Sequence, residues 1–356
     1  MGCGCSSSVQ SESISNFANH RFTTMNERIL SLKVFIMDEG KMSSTQQDYL
    51  YRQFFRLKVH ECMGDSFQAL FSKVMQYATP GFQAVSPWGN WGDGGNDGWI
   101  AHEAHYFQVY GPKPSNQTKE LEAVNKSIGD FDKLVAKWGK VSKYTFVMND
   151  YFKGIPAPVG LSLNSLAISK SLNHAGAMGG MELLQKFMSL SEGEKQDIVG
   201  FIPEVDLDFT DSRAVGEVLT FLAQKSSSPM NFLSETAPNF EDKIKINGIT
   251  KPIKSRLESF SYQLYLINEF LDSVDSGLEQ TIAQEVKETY AKSKLAITED
   301  NHNYADLRYT WMIDKLLPPQ VTTSAVASYR FAAELILAKY FETCDAYEHP
   351  SNASAT

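Results

Sequence analysis

The sequence predicts an α/β protein, an α/β sandwich with a mixed sheet followed by an all-helical C-terminal domain, and three observations predict it. Between Ser43 and Asp150 the patterning runs through two helices, three short strands, a long amphipathic helix and one more strand. Three strands that meander and a fourth reached by a crossover helix give a sheet with both antiparallel and parallel neighbours. Beyond about residue 160 the strand signals fade, and apolar residues recur at spacings of three and four. At 356 residues, with 42% hydrophobic and 12% aromatic residues, the chain has a globular composition and the length for two or three domains.

Each element has its own signal. "QDYLYRQFFRLKVHECM" reads as a helix that breaks at Gly64, and Asp65 or Ser66 can cap the next one, "FQALFSKVMQYA". There Phe67, Leu70, Phe71 and Val74 fall on one face, a stripe that a sheet would cover. Pro80-Gly81 ends it. "FQAVSPW" reads as a short strand, residues 87–98 as an ordered turn, and "GWIAH" and "HYFQVYG" as the strands of a hairpin. Residues 117–138 predict the crossover helix, with Leu121, Val124, Ile128, Phe131, Leu134, Val135 and Trp138 inward. "KYTFVMND" is apolar enough for a strand buried on both faces.

In the second half, 161–174, 181–189 and 211–224 read as helices, the last capped by Asp211. "SSSP" at 226–229 and "SETAP" at 234–238 make a linker-like stretch. Residues 252–274 predict one helix, with Ile253, Leu257, Phe260, Leu264, Ile267, Leu271 and Val274 on its stripe. Pro318-Pro319 separates "YADLRYTWMIDKLL" from a last long helix, "AVASYRFAAELILAKYFETCDAY", whose apolar run serves either as core or as a partner's docking surface. These signals place an α/β domain at 42–160, a helical extension at 161–235 and a helical C-terminal domain at 236–356.

Net charge narrows the function classes. At −9 the surface is not basic all over, although a local basic strip can still carry phosphate contacts. Cysteines at 3, 5, 62 and 344 have no metal-ligand spacing and no disulfide framework, which points to a reducing, cytoplasmic setting. No apolar run reaches the roughly 20 residues a membrane span needs.

The densest chemistry lies in "PWGNWGDGGNDGWIAHEAHYFQVYGPK", residues 87–113. Metal-dependent phosphodiester cleavage needs hard oxygen ligands, a cation near the scissile phosphate and a rigid scaffold beneath both. An acid at the start of one strand and an acceptor on the next supply the ligands, and a basic residue two positions after the acceptor shares its face. Here Asp97 opens the "DGWIA" strand, and Gln108 and Tyr110 share a face of the next. The glycines around Asp97 would let backbone or phosphate come close.

That pattern resembles the PD-(D/E)XK restriction-endonuclease-like superfamily, in the branch with Gln in place of the second acid. "GDSFQALFSKVM", "PWGNWGDGGNDGW", "YFQVYGPK", "FVMNDYFKGIP" and "KYFETCDAYEHP" together resemble proteins of bacterial ABC-three-component systems, proposed antiphage-defence modules. The resemblance implies a restriction-endonuclease-like sandwich and a Mg²⁺- or Mn²⁺-dependent DNA endonuclease, a hydrolase, with Asp97 and Gln108 holding the metal. It also implies partner proteins for the C-terminal domain, an ATPase of the same system among them, and leaves a homo-oligomer open. Two positions depart from it: Tyr110 stands where an active enzyme carries Lys, and Gln68 where the first helix often carries Glu. Tyr is no cation at neutral pH. Lys113, past Pro112, could fold back to supply the charge, or the fold could serve as a DNA- or partner-binding scaffold or sensor without cutting.

The remaining motifs have plainer readings. Asp93, Asp97 and Gly98 match the first half of a calcium-binding loop, but Ala104 falls where its last Glu belongs and strands flank it. "HEAH" at 102–105 is one residue short of a zinc-protease motif and falls in the hairpin turn. Trp88, Trp91 and Trp99 would roof the glycine turn, with base stacking the other use. Lys126, Lys133, Lys137 and Lys140 recur on one helical face, and residues 111–143 hold seven lysines against four acids. That face is either simply solvated or tracks phosphates. Asp206 and Asp208 read as loop or helix-entry residues, and Cys344 as a buried thiol.

The N-terminus admits two readings. "MGCGCS" fits N-myristoylation at Gly2, with Cys3 and Cys5 available for palmitoylation, the two acyl signals that anchor a protein stably. Against this, "DEGKM" at 38–42 can be encoded with a purine-rich GAGG just before an ATG, so translation in a bacterial host would start at Met42 and residues 1–41 would not be native. The family resemblance begins after Met42, which favours the second reading.

Overall fold

The computed structural model describes residues 44–86, 94–113, 119–203, 211–225, 240–272, 276–343 and 347–349. Gly2, Cys3, Cys5, Met42, Trp88, Trp91, Asp93, Asp206, Asp208 and Cys344 lie outside them. Helices α1 (Ser44–Glu61) and α2 (Asp65–Ala78) meet at Gly64. Neither Asp65 nor Ser66 caps α2. Asp65 lies inside its first turn, and Ser66 Oγ instead takes the Met63 N–H at 2.8 Å. Gly64, at φ +51°, donates its N–H to Gly111 O at 2.8 Å, and a Cβ on Gly111 would sit 2.6 Å from Gly64 N. Two glycines thus let the α1–α2 corner rest directly on the end of strand β3 (His105–Tyr110).

The sheet has five strands in the order β1-β2-β3-β4-β5, with β1 Phe82–Ala84, β2 Gly98–Ile100, β4 Lys143–Met148 and β5 His174–Met178. β1, β2 and β3 pair antiparallel, while β3, β4 and β5 pair parallel, with Tyr106 opposite Tyr144 and Tyr144 opposite Ala175. The mixed sheet agrees with the sequence. β5 does not: "HAGAM" has the composition of neither a strand nor a core. It is a strand because β4 offers it an open ladder, a tertiary effect that overrides propensity. The helix expected at 161–174 accordingly lies earlier, as α4 (Ala157–Ser169).

Helices cover both faces. Phe67, Phe71 and Val74 of α2 pack with Phe82, Phe107, Val109 and Val147 and with α5 (Gly180–Met188) on one side. On the other, α3 (Lys119–Trp138) and α4 bury Ala123, Phe131, Leu134 and Leu163 against Tyr106, Tyr110, Tyr144 and Phe146. The stripe of α3 is narrower than the sequence suggests. Ile128 and Val135 are 38% and 41% exposed, at the rim where the sheet no longer reaches them.

The rest of the described chain is helical: α6 (Glu192–Val199), α7 (Ser212–Lys225), α8 (Phe240–Ile246), α9 (Lys251–Ser261), α10 (Tyr265–Asp272), α11 (Ser276–Ala296), α12 (Tyr304–Leu316) and α13 (Val326–Glu342). Asp211 caps α7 as its sequence predicts, Oδ1 accepting the N–H groups of Arg213 and Ala214. The single helix expected at 252–274 is instead α9 and α10, separated by a turn at Tyr262–Leu264 with Gln263 buried inside it. α13 is buried from Tyr329 to Phe341, so its apolar run is core. That core is continuous, running from Leu50 on α1 through the α2 side of the sheet to Phe341. Among the described residues no helix is long and apolar enough to cross a membrane.

Candidate functional site

Asp97 lies at the point where β2 begins, and the backbone around it dictates what its carboxylate does. Its N–H donates to Phe107 O at 2.9 Å and its carbonyl accepts the Val85 N–H at 3.1 Å. Its side-chain Oδ2 accepts the Val109 N–H at 2.6 Å. The carboxylate therefore acts as the acceptor that a longer β2 would have offered β3, and Asp97 bonds to the residues on either side of Gln108. Asn96 holds the turn by accepting the Gly98 N–H at 3.1 Å. Asn96 and Asp97 are both buried, Asp97 being 4% exposed.

The glycines are packing residues here. A Cβ on Gly94, at φ +68°, would lie 2.8 Å from Lys137 Cδ and 2.9 Å from Trp138 Nε1, and one on Gly98 would enter the Phe82 ring at 2.4 Å. The turn is thereby pressed between α3 and β1. Trp99 stacks on Tyr106 and packs against Trp138, with ring centroids 5.8 and 5.2 Å away, which is the roofing role expected of it.

Gln108 shares the α3 side of the sheet with Tyr106 and Tyr110 by strand alternation. It is 5% exposed, and its Oε1 has no hydrogen-bond partner. A buried amide oxygen without a donor costs about 1–3 kcal/mol, so it asks for an explanation. Tyr110 is buried against Phe146, with ring centroids 6.0 Å apart. Burial raises its phenol pKa, and the nearby Glu122 carboxylate raises it further. Tyr110 is thus a neutral donor, not a cation.

The donor chemistry fits a hard divalent ion in part. A carboxylate and an orphaned amide oxygen from neighbouring strands suit Mg²⁺ or Mn²⁺, which keep several waters when few protein ligands are supplied. Among the described residues no group of three or more His, Cys, Asp and Glu could complete such a site. Lys113 is exposed beyond Gly111-Pro112, and Gln68 is half-buried on α2, on the opposite side of the sheet from Gln108. Lys126, Lys133 and Lys137 are exposed along α3, and Lys140 is exposed just past its end.

The competing zinc-type motif has a structural role. "HEAH" forms a turn with Ala104 in the left-handed region at φ 45°. Within it Glu103 pairs with Lys143 at 2.9 Å and His105 shares a 2.8 Å hydrogen bond with Thr145 Oγ1. Burial pushes the His105 pKa down to about 4, so its ring is neutral near pH 7.

Two features of this region were not read from the sequence. Glu122 meets Tyr110 from a helix, and no spacing within either segment announces it. Asn149 and Asp150 form a knot at the carboxyl end of β4. Asn149 Nδ2 donates to Val59 O and Cys62 O at 2.9 Å, and Asp150 accepts the N–H groups of Phe152, Gly154 and Gly180. The signal available was an Asn-Asp pair directly after a mostly apolar strand.

Residues 213–348 match the model for C-terminal domain 10 of the ABC-three component (ABC-3C) systems. No curated protein and no solved structure matches the chain.

Proposed function

We propose that this chain, whose residues 213–348 match a C-terminal domain of the ABC-three component systems, is the nuclease-like effector of such a system in antiphage defence. In this reading Asp97 and Gln108 hold a Mg²⁺ or Mn²⁺ ion for DNA cleavage. One observation carries it: the buried Gln108 Oε1 has no donor, and Asp97 is bonded to both of its chain neighbours. A bound divalent ion would satisfy that oxygen and would polarise a phosphodiester and an attacking water. The chain's own residues set the stage: the glycine turn holds Asp97 against β3, Tyr110 offers a hydroxyl rather than a charge, and the α3 lysines form an exposed basic face.

A second reading follows from Tyr110. A buried phenol whose pKa is raised by burial and by the Glu122 carboxylate, with no lysine in its place, favours a DNA- or partner-binding scaffold that does not cut. Titration of the full-length protein with Mn²⁺, together with a Mg²⁺-dependent DNA degradation assay, separates the two. Cleavage that is lost in Asp97→Asn and Gln108→Leu supports the effector. Cleavage unchanged in Asp97→Asn removes that residue from the chemistry, and DNA binding without cleavage or metal uptake supports the scaffold. Lys133→Glu with Lys137→Glu should weaken DNA binding and flatten its salt dependence in either case.

A further inference from the structure

Within the matched C-terminal region, Tyr347 and Glu348 lie against α8, α11 and α13 as a bound peptide would. Asn247, which follows α8, holds them by the main chain: its Nδ2 donates to Glu348 O and its Oδ1 accepts the Glu348 N–H, both at 3.0 Å. The same amide is buried and anchored from its other side. It donates to Lys243 O at 2.9 Å and accepts the Tyr290 hydroxyl at 3.1 Å. Two of its four hydrogen bonds thus need a main chain beside it, whatever side chains that main chain carries.

Side-chain identity is read by neighbouring groups. The Tyr347 ring packs against Tyr290 of α11 and Phe341 of α13, with centroids 4.8 and 4.9 Å away. Lys294 of α11 pairs with the Glu348 carboxylate at 2.6 Å. The groove therefore takes a backbone, an aromatic ring and then an acid. Its resident segment fits with one flaw: the Tyr347 hydroxyl is buried and has no hydrogen-bond partner. A buried hydroxyl left unpaired is a net cost, and phenylalanine would fill the same aromatic pocket without it.

We propose that this groove is a docking site for a partner protein, which presents a non-helical segment with Phe directly before Glu or Asp. Tyr347-Glu348 is the internal ligand that this segment displaces. A tethered segment competes at an effective concentration on the order of millimolar. The incoming segment must therefore bind better than the resident one, and the unpaired hydroxyl gives Phe that margin. None of this depends on a metal at Asp97 and Gln108.

Fluorescence polarisation on the full-length protein tests this with a labelled peptide, residues 345–350 with Phe in place of Tyr347. It should bind wild type, and Tyr347→Ala, which weakens the resident segment, should tighten binding roughly tenfold or more. The unaltered Tyr peptide should bind less tightly than the Phe peptide. A peptide with Lys in place of Glu348 should bind roughly threefold or more less tightly, and Lys294→Glu should reverse that preference. Lys294 and Glu348 are both half-exposed, so this charge swap decides the matter even if Tyr347→Ala fails to fold. The proposal is overturned if folded Tyr347→Ala binds the peptide no better than wild type, or if Lys294→Glu still prefers the acidic peptide. Equal binding of the Tyr and Phe peptides would overturn the choice of Phe. A dimer of the full-length protein that Tyr347→Ala dissolves would give the groove to a second copy's tail, and would overturn the choice of a partner protein.

Discussion

At the residue scale, the carboxylate of Asp97 accepts a strand N–H, so Asp97→Ala and Asp97→Asn report different things. Alanine leaves the Val109 N–H without its acceptor and should cost about 1–3 kcal/mol in urea unfolding. Asparagine keeps an oxygen there, so its melting curve should stay close to wild type while divalent-ion uptake falls. A large loss of stability in Asp97→Asn would show that the charge itself supports the fold. Two half-buried histidines make a separate prediction. Burial lowers the pKa of both His60 and His105 from 6.5 to about 4. The unfolded chain therefore takes up protons first as pH falls, so the stability from the neutral rings is complete above about pH 6.5 and is lost toward pH 4. After allowance for screening of these partly exposed rings, the loss should be on the order of 2 kcal/mol per histidine. Urea midpoints should fall between about pH 7 and about pH 5, and His105→Gln should flatten that dependence.

At the scale of elements, two glycines predict opposite outcomes for the same substitution. Gly98→Ala would drive a Cβ into the Phe82 ring, 2.4 Å away, in the core beneath β1 and β2. That displacement should cost about 1–3 kcal/mol. Gly129 lies inside α3 with nothing within 4 Å of its would-be Cβ, so Gly129→Ala should stabilise the helix by up to about 1 kcal/mol. Thermal melts of the two variants decide it, and equal shifts would mean that the packing around β2 yields more readily than its distances imply. Elements also show where reading a sequence reaches its limit. The stripe of α2 and the double burial of β4 follow from side-chain periodicity alone, and both are as expected. β5 has no such periodicity, because Ala and Gly neither prefer a strand nor mark a face. The break between α9 and α10 hides inside a continuous apolar repeat.

At the scale of the whole molecule, buried charges bind the C-terminal helices to the rest. Arg330 on α13 donates to Val199 O at 2.9 Å and Phe201 O at 2.8 Å, pairs with Asp314, and lies 3.9 Å from the Phe54 ring centroid on α1. Four residues away, Glu334 receives Arg256 at 2.5 and 2.6 Å and the Tyr309 hydroxyl at 3.0 Å. Asp306 on α12 likewise accepts the hydroxyls of Tyr49 and Thr250. Arg330→Ala would strand Asp314 and two carbonyls at a buried joint, and should cost about 3–5 kcal/mol. With the core continuous from α1 to α13, far-UV dichroism and tryptophan fluorescence should report one coincident transition in wild type. Two separated transitions would show that the halves unfold independently.

By itself the sequence determined the order of helices and strands up to β4, the mixed character of the sheet, the cap of α7, and the neighbourhood of Asp97, Gln108 and Tyr110. Those depend on periodicity, turn residues and the alternation of a strand, which are local. Only the tertiary structure decided that Asp97 completes the β3 ladder, that Glu122 meets Tyr110, that Gln108 is left without a donor, and that "HAGAM" is a strand. Each depends on a partner distant in the chain, and a hydrogen bond or ladder between distant segments leaves no spacing in either one.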